Sequence, residues 1–183
     1  TTSKLQQEAI RKLKFSAKIT MMIAQQLYEG VEINGEPTGL ITYMRTDSTR
    51  IAQEAAEEAI QLIREKHGKN YSMDKPRFFK NTKKVQDAHE AIRPASVSYT
   101  PEDVAPYLSE DQLALYRLIW QRFVASQMQQ ALIDQTSVNI AIGNYGFTAS
   151  GSIIRFPGFM ALYMSEDESE QNREERLPEL SEG

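Results

Sequence analysis

Leu5, Ala9, Ile10 and Leu13 recur at the spacing of an amphipathic helix, and Ser3 with Gln6 forms a capping-box pattern at its start. The spacing predicts a first helix ending near Lys14. Ser16 is placed to cap a second, with Ile19, Met22, Ile23 and Leu27 as its apolar face and Gly30 near its end. Two helices joined so briefly make an αα-hairpin. Asn34, Gly35, Pro37 and Gly39 mark a loop, after which Leu40, Ile41 and Thr42 read as a short strand. Thr46, Asp47 and Ser48 carry side-chain oxygens of the kind that cap helix N-termini. A third helix is expected over roughly Ile51 to His67, with Ala52, Ala55, Ala56, Ala59, Ile60 and Ile63 packing inward and Gly68 as its stop.

Residues 69 to 87 are polar and lysine-rich with few apolar anchors, the pattern of a long mobile connection. Thr100, Pro101 and Asp103 then start a short helix, and Ser109 with Gln112 starts a longer one. Leu113, Tyr116, Leu118, Ile119, Trp120, Phe123 and Met128 give the longer helix the wide apolar surface of a buried element. After Asp134 the period changes to two. Val138, Ile140 and Ile142 share one face, Asn144 to Gly146 form a turn, and Phe147, Ala149, Ile153 and Ile154 continue an antiparallel pair. Pro157 and Gly158 interrupt before Phe159 to Tyr163. The fold class expected is mainly α with an antiparallel β portion, divided into helical residues 1–130, β residues 131–165 and an acidic linker over 166–183.

Composition narrows this picture little, but charge distribution does. The 183 residues are long enough to bury a substantial core, and no apolar run approaches the roughly 18 residues of a membrane span. Zero cysteines exclude disulfides and thiolate metal sites, and two histidines are too few for a His-rich zinc site. The net charge of −4 argues by itself against a nucleic-acid partner. Residues 165–183, however, carry eight acidic and two basic side chains, leaving 17 acidic against 19 basic in the first 164. Lys4, Arg11, Lys12, Lys14 and Lys18, and again Lys75 through Lys84, are candidate phosphate contacts or simply solvated faces.

The chemistry concentrates in LITYMRTDS, residues 40–48. Tyr43 and Arg45 would point from one strand face just ahead of a helix start, whose exposed N–H groups favour anions. A tyrosine ionises near pH 10 in water, so its attack on phosphorus at neutral pH needs a cation to stabilise the phenolate or a base to take its proton. Arg45 supplies the cation, with paired donors that match phosphate oxygens. His89, beside Glu90 and ahead of Arg93, can relay a proton or hydrogen-bond a phosphate. The plainer alternatives are a half-buried strand aromatic, a solvated arginine and a structural histidine.

LITYMRTDS, preceded by QQLYEG at 25–30 and followed by AHEAIRPA at 88–95, resembles the active-site region of bacterial type IA DNA topoisomerases. TTSKLQQEA at 1–9 and ASGSIIRFPGFMALY at 149–163 are similar to further blocks of that family, in the same order. The resemblance implies a helical domain carrying the catalytic Tyr43, with Arg45 and His89 as site residues, inserted into a β-rich gate domain of which this chain would hold part. It implies transient cleavage of one DNA strand through a 5′-phosphotyrosyl link, strand passage and religation without ATP, relaxing negatively supercoiled DNA. The expected partner is single-stranded or negatively supercoiled DNA, in the cytoplasm with the nucleoid.

Magnesium is implied too, held by an acidic N-terminal domain that nothing here matches. No cofactor or metal is expected in this chain. The carboxylates of the acidic tail lack an apolar framework to fix coordination geometry. The chain is therefore expected to be a fragment without its N- and C-terminal domains, inactive alone, with unpaired strands that invite a homodimer. Met44 leans towards the topoisomerase I branch, although reverse gyrase and topoisomerase III share the architecture. A non-catalytic DNA-binding module, and a protein-interaction module presenting strands 147–163, are the rival classes.

Overall fold

The computed structural model describes residues 1–79 and 89–163, which fall into two compact units divided between Met128 and Gln129. In the first, α1 (Thr2–Glu8) widens into a π turn over Ala9–Leu13 and closes at Lys14 in left-handed geometry, φ 61°. Its cap is Thr1, whose hydroxyl accepts from the Lys4 N–H, and not the predicted Ser3. Ser16 caps α2 (Ala17–Glu29) as expected, accepting from the Ile19 N–H at 3.2 Å. The buried face of α2 is Thr20, Ile23, Ala24 and Leu27. Ile19 and Met22 lie outside it, 41% and 53% exposed.

The expected loop after α2 is a hairpin, β1 (Val31–Ile33) against β2 (Glu36–Thr38). Asn34 and Gly35 turn it with φ of 53° and 85°, the two positive values that a tight hairpin demands and that Asn-Gly tolerates. Helix α3 (Gln53–His67) starts two residues later than expected, with Ala52 at its cap and no side-chain hydrogen bond there. Ala55, Ala56, Ala59, Ile60 and Ile63 are buried as expected, and Gly68 ends the helix.

The lysine-rich stretch after α3 is tied down where it is described. A short 3-10 turn, Lys69–Tyr71, leads to a bridge between Ser72 and Met128. Gln127, wholly buried, imitates a strand partner: its side-chain oxygen accepts from Arg77 N–H at 2.9 Å and its amide donates to Arg77 C=O at 3.1 Å. Residues 80–88 lie outside the described set.

Thr100 and Pro101 open α4 (Pro101–Val104), and Ser109 with Gln112 makes the full reciprocal capping box of α5 (Glu110–Ser126). Helix α5 packs against α2, α3, α4 and the π turn, and buries Leu115, Tyr116, Leu118, Ile119, Trp120, Phe123 and Val124. The polar ends of its tyrosine and tryptophan are satisfied, Tyr116 Oη–H donating to Tyr99 C=O at 2.6 Å and Trp120 Nε1–H to Val97 C=O at 3.1 Å.

The second unit is a long two-stranded ribbon, β3 (Leu132–Ile142) against β4 (Tyr145–Phe156), followed by one turn of helix, α6 (Met160–Tyr163). Gly143 and Asn144 make the turn, one residue earlier than predicted. The register puts Val138 opposite Ala149, Ile140 opposite Phe147 and Ile142 opposite Tyr145 on one face. Ser137 with Ser150 and Asn139 with Thr148 occupy the other. Among the described residues these strands pair only with each other. The acidic stretch over 166–183 lies outside the described set. No helix among the described residues is long and apolar enough to cross a membrane.

Candidate active site around Tyr43

The chain leaving β2 runs back along the end of α2. Leu40 N–H donates to Leu27 C=O at 2.8 Å, and the Gly39 α-carbon passes so close to the Tyr28 carbonyl that a Cβ there would stand 2.9 Å from its oxygen. Only glycine allows that approach. From here to Ser48 exposure alternates: Tyr43, Arg45 and Asp47 face outward while Met44, Thr46 and Ser48 are buried. Tyr43 and Arg45 thus share an outward side, as a strand would give, although the expected strand is reduced to one bridge between Ile41 and Pro94.

Backbone and side-chain hydrogen bonds over-determine this segment from both sides. The Thr42 N–H donates to Arg93 C=O at 2.9 Å, and its hydroxyl donates to Ala91 C=O at 2.7 Å while accepting from Arg93 N–H at 3.0 Å. Ala95 N–H donates to Leu40 C=O and Ala91 N–H to Arg50 C=O, which stitches HEAIRPA along the tyrosine segment. On the other side the Thr2 hydroxyl donates to Met44 C=O at 2.8 Å and accepts from Thr46 N–H at 2.9 Å. Thr46 and Ser48 do not cap α3. Their hydroxyls accept from Ser48 N–H and Arg50 N–H, two residues on, holding local turns. The helix start expected beside Tyr43 therefore lies further along, at Gln53.

Arg93 is spent on structure. Its Nε and NH2 both reach Glu90 Oε2, at 2.9 and 2.7 Å, and its NH1 donates to the carbonyl of Pro94 at 3.0 Å. That clamp shapes the loop carrying His89. His89 is exposed with its ring centroid 6.5 Å from that of Tyr43, and the Tyr28 and Tyr43 rings meet edge-to-face, centroids 5.4 Å apart at 69°. Tyr43 is 45% exposed. Arg45 is exposed and takes part in none of the ion pairs found among the described residues.

Tyr43 and His89, 46 positions apart in sequence, are thus neighbours, with Arg45 on the same outward side as Tyr43. Tyr28, Thr42, Thr2 and the Glu90–Arg93 pair were not singled out from the sequence. Asn34-Gly35 was the available signal for Tyr28, since a hairpin there folds residues 38–40 back beside 27–30.

A family model for DNA topoisomerase matches residues 1–183. The chain belongs to the bacterial type IA DNA topoisomerases. Among solved structures it is similar to full-length topoisomerase I from Thermotoga maritima, with 45% sequence identity and a TM-score of 0.80 over 91% of this chain. It spans 26% of that protein's length. The family and the mainly helical fold with a β portion agree with what the motifs implied.

Proposed function

We propose that Tyr43 is the nucleophile of a type IA topoisomerase reaction on single-stranded DNA. One observation supports this above the others: the Tyr43 ring is exposed while the backbone carrying it is fixed on both sides by buried neighbours and by the hydrogen bonds of Thr42 and Thr2. Such a tyrosine can present its oxygen to phosphorus without reorganising the chain. Its phenolic oxygen attacks a backbone phosphate in line, the bond from phosphorus to the 3′-oxygen breaks, and the 3′-oxygen leaves as a hydroxyl. The DNA is held by a 5′-phosphotyrosyl ester until the 3′-hydroxyl attacks in reverse. The phosphodiester bond energy is kept, so no ATP is consumed.

Arg45 binds the non-bridging oxygens and neutralises the charge gathering on them. His89 stands beside the tyrosine to hydrogen-bond the phosphate or move the phenolic proton. Magnesium is implied by the family, but the described residues do not fit it, for no group of three or more His, Asp or Glu comes together among them. The chain, spanning 26% of its structural relative, would work as part of a longer enzyme that relaxes negatively supercoiled DNA. Alone it should show no relaxation activity.

Incubating the complete enzyme with labelled single-stranded DNA and quenching with denaturant should trap an adduct on Tyr43 through a 5′-phosphate. Tyr43→Phe should abolish it. Persistence of the adduct in Tyr43→Phe would sink the assignment, and DNA binding with no adduct in the wild type would favour a non-catalytic binding module.

A further inference from the structure

Taking Tyr43 as the nucleophile, we propose that Tyr28 is a positioning residue that fixes the orientation of the Tyr43 ring. An exposed tyrosine on a rigid backbone still has a free side-chain torsion, and a phenol that swings loses its line of attack. Two aromatic rings stand against the Tyr43 ring. His89 is tilted at 48° with centroids 6.5 Å apart, whereas Tyr28 is closer, 5.4 Å, and at 69° sits in the edge-to-face range that the ring quadrupoles favour.

The placement of Tyr28 is built into the backbone. It stands one residue before the end of α2, and the chain then makes the β1–β2 hairpin and returns to the same spot. Leu27 C=O receives the Leu40 N–H, and Gly39 presses on the Tyr28 carbonyl. The hairpin therefore registers position 28 against position 39, which brings the Tyr43 ring to that of Tyr28. Tyr28 is itself 42% exposed, so its ring is not needed to fill the core. The fold is tied through the backbone at this point, while the side chain reaches out to the nucleophile.

The test uses the complete enzyme with a labelled single-stranded oligonucleotide in single-turnover cleavage. Tyr28→Ala should slow adduct formation at saturating DNA by about tenfold, leaving the DNA dissociation constant and the melting temperature unchanged. Tyr28→Phe, which keeps the ring, should restore the wild-type rate. Wild-type cleavage by Tyr28→Ala, equal losses in the Ala and Phe variants, or a loss confined to DNA affinity would each overturn the proposal. Tyr43→Phe in the same assay separates the two levels: an adduct there defeats the nucleophile assignment itself, whatever Tyr28 does.

Discussion

The Tyr43 segment and the β3–β4 ribbon both expose aromatic rings, yet they are held in opposite ways. Tyr43 is 45% exposed on a backbone whose neighbours Leu40, Ile41 and Met44 are buried and whose amides and carbonyls are engaged by Thr2, Leu27, Arg93 and Ala95, while the Thr42 hydroxyl donates to Ala91 C=O. Tyr145 and Phe147 are 75% and 58% exposed on a ribbon whose described pairing is the ladder between its own two strands. The first ring is exposed on a backbone that its neighbours hold in place. The ribbon's rings have no such support among the described residues, and an isolated two-stranded pair is marginally stable at best in water.

Core truncation should separate the regions most sharply. Trp120→Ala removes a buried indole and leaves Val97 C=O without its donor, and denaturant titration should show a loss of about 3–5 kcal/mol. A loss below 1 kcal/mol would deny that this unit depends on a tightly packed core. The next effect is local. Thr42→Val is nearly isosteric but strands the Arg93 N–H and the Ala91 carbonyl, and should cost about 1–3 kcal/mol while slowing adduct formation in the complete enzyme. Unchanged stability and cleavage would mean that the threonine hydroxyl does not hold the tyrosine segment.

Alkaline titration reports on the same unit. Burial raises the Tyr116 phenol above its ordinary value near 10, with nearby Tyr99 adding to the shift. The folded state therefore keeps a proton that the unfolded chain gives up, so this contribution is intact below about pH 10 and is lost as pH rises beyond it, by at most about 1.4 kcal/mol per pH unit. Tyr116→Phe should flatten that slope, and an unaltered alkaline profile in the variant would assign it elsewhere. The smallest effect belongs to the ribbon. Phe147→Ser should change stability by under about 0.5 kcal/mol. It should also weaken self-association, which light scattering over a concentration series would detect as dimer through exposed strands. A strictly monomeric wild type with strong amide protection along β3 and β4 would show the ribbon to be as well held as the helical unit.

Much of this was legible beforehand where a local rule acts alone. Ser16, Thr100 with Pro101, and the Ser109–Gln112 box start the helices the sequence predicts, because a cap is satisfied within three residues of itself. The period-two run from Val138 onward gave the ribbon with its turn one residue out. Thr46 and Ser48 were misread because their hydroxyls serve either a helix cap or a local turn, and the choice depends on Thr2 and Arg50. Ile19 and Met22 fit a helical apolar stripe as well as Thr20 and Ala24 do, and spacing alone does not say which face meets a neighbour.

The sequence by itself determined the caps of α2, α4 and α5, the periods, the fold class and the motif around Tyr43, because these are written in residues close together along the chain. Tertiary structure decided how that tyrosine is surrounded, adding Tyr28 to the His89 that the family resemblance implies. Tyr28 and His89 are 61 positions apart, and only the β1–β2 hairpin together with the Thr42 and Arg93 hydrogen bonds brings their rings to the same phenol. Long-range packing and hydrogen bonds of this kind leave no periodic trace in a sequence, since each partner obeys its own local pattern and the contact exists only once the chain has folded.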